Sequence, residues 1–144
     1  MSTVTQIMTK PPKAVGPGMS VVGAAKAMRA ARVGSLLVKK GRKLMGIVTD
    51  TDIVRRAVTA NKNLSKLTVE KIMTTPVCTI EGDQPVDDAQ DMMSELGVRQ
   101  LGVTKDGEIV GVVSVRDVMM FYKRYAASKI APEVKYSEPK ISQD

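Results

Sequence analysis

The chain has 144 residues, 43% of them hydrophobic and 26% charged, with a net charge of +7, no histidine and one cysteine. That length and apolar content suit one compact domain, or two half-size units that need each other to bury a core. Without histidine the usual general base and most zinc sites are missing, and a lone Cys78 leaves no internal disulfide and fits a reducing compartment. No uncharged apolar run is long enough to span a membrane, and Met1 to Lys10 lacks the basic-then-apolar pattern of a secretory leader, so a cytoplasmic, non-enzymatic protein is expected.

The first segment with character is Ile7-Met8-Thr9-Lys10-Pro11, whose proline should stop any preceding helix and start an extended stretch. Lys13-Ala14-Val15 reads as a short strand. Ser20 then stands as a cap before Val21, Ala24, Ala25, Met28 and Ala31, which recur at helical spacing. Val33-Gly34-Ser35-Leu36-Leu37-Val38 and Leu44-Met45-Gly46-Ile47-Val48 flank Lys40-Gly41-Arg42-Lys43, the pattern of a hairpin. A last helix starts near Thr49, and Asn61-Lys62-Asn63 lies in a polar connection around residues 59–68.

The same order then returns. Ile72-Met73-Thr74-Thr75-Pro76 repeats the opening segment, and Ile109-Val110-Gly111-Val112-Val113-Ser114-Val115-Arg116-Asp117 repeats Leu44 to Asp52, all at a constant shift of 65. A fixed shift marks a duplicated supersecondary unit. In the second copy Cys78-Thr79-Ile80 is the short strand. Pro85, suited to a first helical turn, precedes Val86, Ala89, Met93 and Leu96, and Lys105-Asp106-Gly107-Glu108 is the hairpin turn before a helix near Ser114. The expected fold class is α/β of the α+β type, a β-α-β-β-α unit twice. Residues 1–65 hold the first copy with its N-terminal segment and linker, 66–125 the second, and 126–144 a mobile or loosely docked tail.

The copies share their apolar pattern and differ in charge: residues 1–65 carry a net +10 and residues 66–125 a net −3. A basic half can attract anionic ligands or nucleic acid, or meet the acidic half of another copy. Lys39, Lys40, Arg42 and Lys43 make a basic hairpin tip, best read as a solvated turn because few aromatics are present to stack on bases. The methionines at helical spacing, and Cys78 without a histidine to activate it, are read as packing residues.

Each hairpin ends in a hydroxyl residue followed three positions on by aspartate: Thr49-x-x-Asp52 and Ser114-x-x-Asp117. This spacing makes a helix capping box. The same geometry also offers amide donors and a positive dipole to a phosphate, and a carboxylate to a ribose diol. The two readings are compatible, and the presence of a cleft decides between them.

The repeated Ile-Met-Thr-x-Pro segment, the Val33 to Val38 strand, the Gly46-Ile47-Val48-Thr49-x-x-Asp52 ending and their second-copy counterparts resemble a tandem pair of CBS domains, over about residues 4–125. The resemblance implies two units packed about a pseudo-twofold axis, with two clefts for AMP, ADP, ATP or S-adenosylmethionine as a regulatory ligand and no obligatory cofactor or metal. One cleft would use Ser114, Arg116 and Asp117 with Gly34 and, from the opposite copy, Lys10, Pro12, Lys13 and Val15. The other would use Thr49, Thr51 and Asp52 with Thr75, Val77, Cys78, Ile80 and Arg99. Arg116, standing where the first copy has Thr51, can grip phosphate, so the Asp117 cleft is the better site for a charged nucleotide. Asp50 is expected beside the Asp52 cleft, where it would weaken phosphate binding. Arg99 is read either as a ligand of that cleft or as a solvated arginine. The resemblance also implies a homodimer, and the charge split favours a head-to-tail one, Lys26, Arg29 and Arg32 of one copy facing Asp87, Asp88 and Asp91 of another. A nucleic-acid-associated protein is the competing reading, and the downstream protein partner is not specified by the sequence.

Overall fold

The structure, a computed structural model, describes residues 2–125 together with 137 and 139, so the expectation for the tail lies outside the described residues. In the first repeat β1 (Ala14–Val15) is followed by α1 (Val21–Ala31), a hairpin of β2 (Ser35–Lys40) and β3 (Lys43–Thr49), and α2 (Asp50–Asp52), which widens into a π-helical stretch over Ile53–Val58. The second repeat runs β4 (Thr79–Glu81), α3 (Val86–Leu96), β5 (Gln100–Lys105), β6 (Glu108–Ser114) and α4 (Val115–Tyr125). Ser20 caps α1 by accepting the Gly23 N–H at 3.0 Å, while Pro85 stands at the cap of α3 just outside its first turn. The helix ends follow the sequence too: α3 stops at Gly97 with φ 66°, a left-handed conformation that glycine adopts without strain.

Each repeat builds its own three-stranded sheet, β1-β2-β3 and β4-β5-β6, with the first pair parallel and the second antiparallel. The irregularity in register falls between Val38 and Lys39 in one hairpin and between Val103 and Thr104 in the other, equivalent positions in the repeat. Buried Leu36, Val38 and Val48 meet Val21, Ala24 and Met28 of α1 in one core. Leu101, Val103 and Val113 meet Val86, Ala89 and Met93 of α3 in the other.

The arms that lead into the repeats are exchanged. Each arm forms a short 3-10 turn absent from the sequence expectation, Val4–Gln6 and Val69–Lys71. Val4 is fully buried in the core of the second repeat, whereas Val69 and Ile72 are buried in that of the first. Backbone bonds fix the crossing: Thr9 and Val112 exchange N–H···O bonds of 2.8 and 3.1 Å, and Thr74 and Ile47 exchange bonds of 2.8 and 3.0 Å. The crossings lie on Gly111 and Gly46. A Cβ at Gly111 would stand 2.8 Å from the Thr9 carbonyl oxygen, and one at Gly46 2.7 Å from that of Thr74, both too close for a side chain. The cores are therefore interlocked, which places the Thr9 to Lys13 stretch against Ser114 to Asp117.

Candidate functional site

Both hydroxyl–aspartate pairs form the capping box their spacing predicts. The Thr49 N–H donates to Asp52 Oδ2 at 3.0 Å and the Asp52 N–H to Thr49 Oγ1 at 3.1 Å; the Ser114 N–H donates to Asp117 Oδ2 at 2.8 Å and the Asp117 N–H to Ser114 Oγ at 3.1 Å. Each pair also lines a cavity, of about 540 Å³ at Asp117 and about 500 Å³ at Asp52. Volumes of this order fall in the range of small-molecule sites.

The carboxylates are otherwise different. Asp52 is only 6% exposed and fully engaged: the Thr74 hydroxyl donates to Oδ1 and Oδ2 at 3.0 and 3.2 Å, and Arg56 Nε lies 3.6 Å from Oδ1. Arg56 also donates to the carbonyls of Ile72 and Met73, at 3.4 and 3.2 Å, so Asp52 helps fasten the exchanged arm. Asp117 is half-buried, and its Oδ1 has no hydrogen-bond or ion-pair partner among the described residues. Thr9, the equivalent of Thr74, lines the cavity but makes no bond to Asp117.

At the Asp117 cavity the structure brings together Ser114, Arg116, Asp117, Pro12, Lys13 and Gly34. Lys10 and Val15 are not on its wall. The bridge to Val112 turns Thr9 toward the cavity and leaves Lys10 exposed, while Val15 packs against the first core. At the Asp52 cavity Thr49, Thr51, Asp52, Val77, Cys78 and Arg99 meet. Thr75 is exposed because its neighbour Thr74 faces Asp52, and Ile80, in β4 two residues beyond Cys78, is buried in the second core.

The placement of Asp50 corrects the sequence expectation. Its side chain is on the wall of the Asp117 cavity, not that of Asp52. Arg99 lines both cavities, as does Gln100, and its Nη2 lies 3.3 Å from Asp50 Oδ1 and 3.0 Å from Thr51 Oγ1. Thr9, Thr74, Arg55 and Gln100 were missed by sequence reasoning. The threonines carried a signal, since they recur at the fixed shift in the repeated Ile-Met-Thr segment. Among the described residues no cluster of three or more His, Cys, Asp or Glu could hold a metal ion, and no helix is long and apolar enough to cross a membrane.

Two α+β units related by the repeat, interlocked through their arms and with a small-molecule-sized cavity at each hydroxyl–aspartate pair, define a tandem-repeat module with two candidate ligand clefts. The CBS domain family model matches residues 4–59 and again 69–124, and the chain belongs to the CBS domain family as a domain pair, a regulatory module. It is 38% identical over 117 residues to a 17.7 kDa protein of Acidianus ambivalens, a match covering 80% of this chain and 70% of that protein. A relative in Methanopyrus kandleri is 31% identical over 121 residues, and the chain spans only 61% of its length. Among solved structures, a protein with CBS domains from Burkholderia ambifaria MC40-6 superposes with a TM-score of 0.81 at 30% identity, covering 91% of this chain and 99% of that one. The CBS domain pair of protein MJ0100, in complex with 5′-methylthioadenosine and S-adenosyl-L-methionine, gives 0.77 at 31% identity, covering 87% and 98%.

Proposed function

We propose that this CBS pair is a non-enzymatic regulatory module that binds an adenosine nucleotide, AMP, ADP or ATP, in the Asp117 cavity. The observation that carries the reading is the free Oδ1 of Asp117, set beside Ser114 at the start of an eleven-residue helix and on the same wall as Arg116 and Lys13. A carboxylate with an unused oxygen can accept the hydroxyls of a ribose. The helix start and the two cations suit the phosphates. Binding there would bridge the repeats, because Lys13 and Pro12 come from one copy and Ser114 to Asp117 from the other, and would shift how the module meets its partner.

Calorimetry with AMP, ADP and ATP tests this, with Asp117→Ala as the control and Asp52→Ala as the comparison. Heat that disappears in the folded Asp117→Ala variant supports the reading; no heat for any adenosine nucleotide with folded protein refutes it. A second reading, an S-adenosyl ligand in the same cavity, is favoured by the MJ0100 complex and by Asp50, a carboxylate on that wall suited to a cationic ligand. S-adenosylmethionine and 5′-methylthioadenosine titrated alongside the nucleotides separate the two.

The module is further proposed to act as a head-to-tail homodimer. Val54 and Val58 after α2, and Met119 and Met120 on α4, expose apolar side chains at 61%, 53%, 66% and 40%, a surface suited to a second copy. Exposed Lys26, Arg29 and Arg32 on or just after α1 and exposed Asp88, Asp91 and Glu95 on α3 bias its orientation; Asp87 is already taken by the Tyr122 hydroxyl.

A further inference from the structure

The wall shared by the two cavities is not symmetric. Arg99, Asp50 and Thr51 meet there, and the shift of 65 relates them to Gly34, Val115 and Arg116, a set that cannot repeat the contact. Gly34 has no side chain to offer, and a Cβ there would stand 2.9 Å from Gln100 Nε2 and 3.2 Å from Asp50 Oδ2, so these side chains would have to shift to admit one. Two cavities therefore share one guanidinium on this wall. Its hold is light, because the Arg99 and Asp50 side chains are 61% and 54% exposed and such pairs contribute little.

We propose that Arg99 is a latch that couples the two cavities negatively for anionic ligands, an inference that rests on the reading of both as ligand sites. An anion in the Asp52 cavity draws the guanidinium off Asp50. The Asp117 cavity then loses a positive charge and gains an unpaired carboxylate, and both changes disfavour phosphate there. Linkage makes the effect reciprocal. A neutral occupant of the Asp52 cavity leaves Arg99 on Asp50 and the Asp117 cavity unchanged, so the pair responds to the charge of the second ligand rather than to occupancy alone.

Cys78, the chain's one cysteine, lines the Asp52 cavity and allows the charge to be varied there at nearly constant shape. Alkylation of the folded protein with iodoacetate leaves a carboxymethyl group, and with iodoacetamide a carboxamidomethyl group. Binding of ATP and of inorganic tripolyphosphate is measured by calorimetry on both forms, counting the part removed by Asp117→Ala. The carboxymethyl form should bind about fivefold more weakly than the carboxamidomethyl form, a typical coupling. In Arg99→Gln that ratio should fall to near unity. If alkylation unfolds the protein, Cys78→Asp against Cys78→Asn supplies the same comparison. Equal affinities in the two forms, or a ratio that survives Arg99→Gln, overturn the latch. Should ATP fail to bind while tripolyphosphate shows the charge-dependent ratio, the nucleotide reading falls and the latch stands. If neither binds any form, both fall.

Discussion

Thr74 and Thr9 occupy equivalent places in the repeat, yet only Thr74 bonds to an aspartate, and this makes them an internal control. Thr74→Val keeps the side chain's shape and removes the hydroxyl that donates to Asp52 at 3.0 and 3.2 Å. Asp52 is 6% exposed, so water does not replace the lost donor; the carboxylate keeps the Thr49 N–H at 3.0 Å and Arg56 at 3.6 Å. A hydrogen bond to a charged group contributes about 1.5–3 kcal/mol. Thr9→Val removes an exposed hydroxyl with no such bond and should stay within about 0.5 kcal/mol. The expected difference is about 2 kcal/mol, or roughly 4–8 °C in Tm for a chain of this size. Urea titrations followed by far-UV circular dichroism measure it, the chain having no tryptophan to report by fluorescence. Equal losses in the two variants, or a neutral Thr74→Val, would refute the assignment of Asp52 as a fastening group.

Gly111→Ala should cost about 1–3 kcal/mol by overpacking against the Thr9 carbonyl, measured in the same urea assay, whereas Gly97→Ala, with open space around its Cβ, should cost only the strain of φ 66°. Val54→Glu and Met119→Glu place charge at equivalent points of the exposed apolar surface and should convert the proposed dimer to monomer in sedimentation velocity without loss of helicity. Small-angle scattering of the unaltered protein should fit α1 of one copy facing α3 of the other; basic helices face to face would overturn the head-to-tail arrangement.

The secondary elements were legible because each is written in local chemistry: Ser20 before an apolar helical stripe, Asp106-Gly107 between two β-rich runs, and a second copy to check each against. The burial of each arm's valine in the other repeat's core was not, although the resemblance already set residues 10–15 and 75–80 against the opposite copy's cleft. Val4 and Val69 are the same residue at the same point of the repeat, and either core would accept either valine, so the pattern fixes that they are buried without fixing where. The site suffered in proportion. Thr74 reaches Asp52, and Thr9 the wall of the Asp117 cavity, only because the arms cross, and Lys10 was placed on a wall that the Thr9–Val112 bridge turns it away from. Asp50 was assigned to the wrong cavity for a related reason: it neighbours Asp52 along the chain, but the start of a helix sends adjacent side chains in different directions. The π-helical stretch after Asp52 left no sequence signal that separates it from the regular α4.

The duplication divides labour by what each aspartate has left over. In both repeats Oδ2 serves the helix start, so the capping bond cannot distinguish a structural aspartate from a binding one. The distinction lies in Oδ1. Arg56 turns the first aspartate into an anchor for the arm of the second repeat, and its equivalent in α4 is Phe121, which can offer no such bond. The second aspartate is left with an oxygen that a ligand can use, next to an arginine that the first repeat replaces with Thr51. A ligand at Asp52 must work around a carboxylate already committed to folding, whereas a ligand at Asp117 meets one that folding has left half-satisfied. Stability therefore resides preferentially at the first copy of the motif and the proposed ligand response at the second, with Arg99 standing between them.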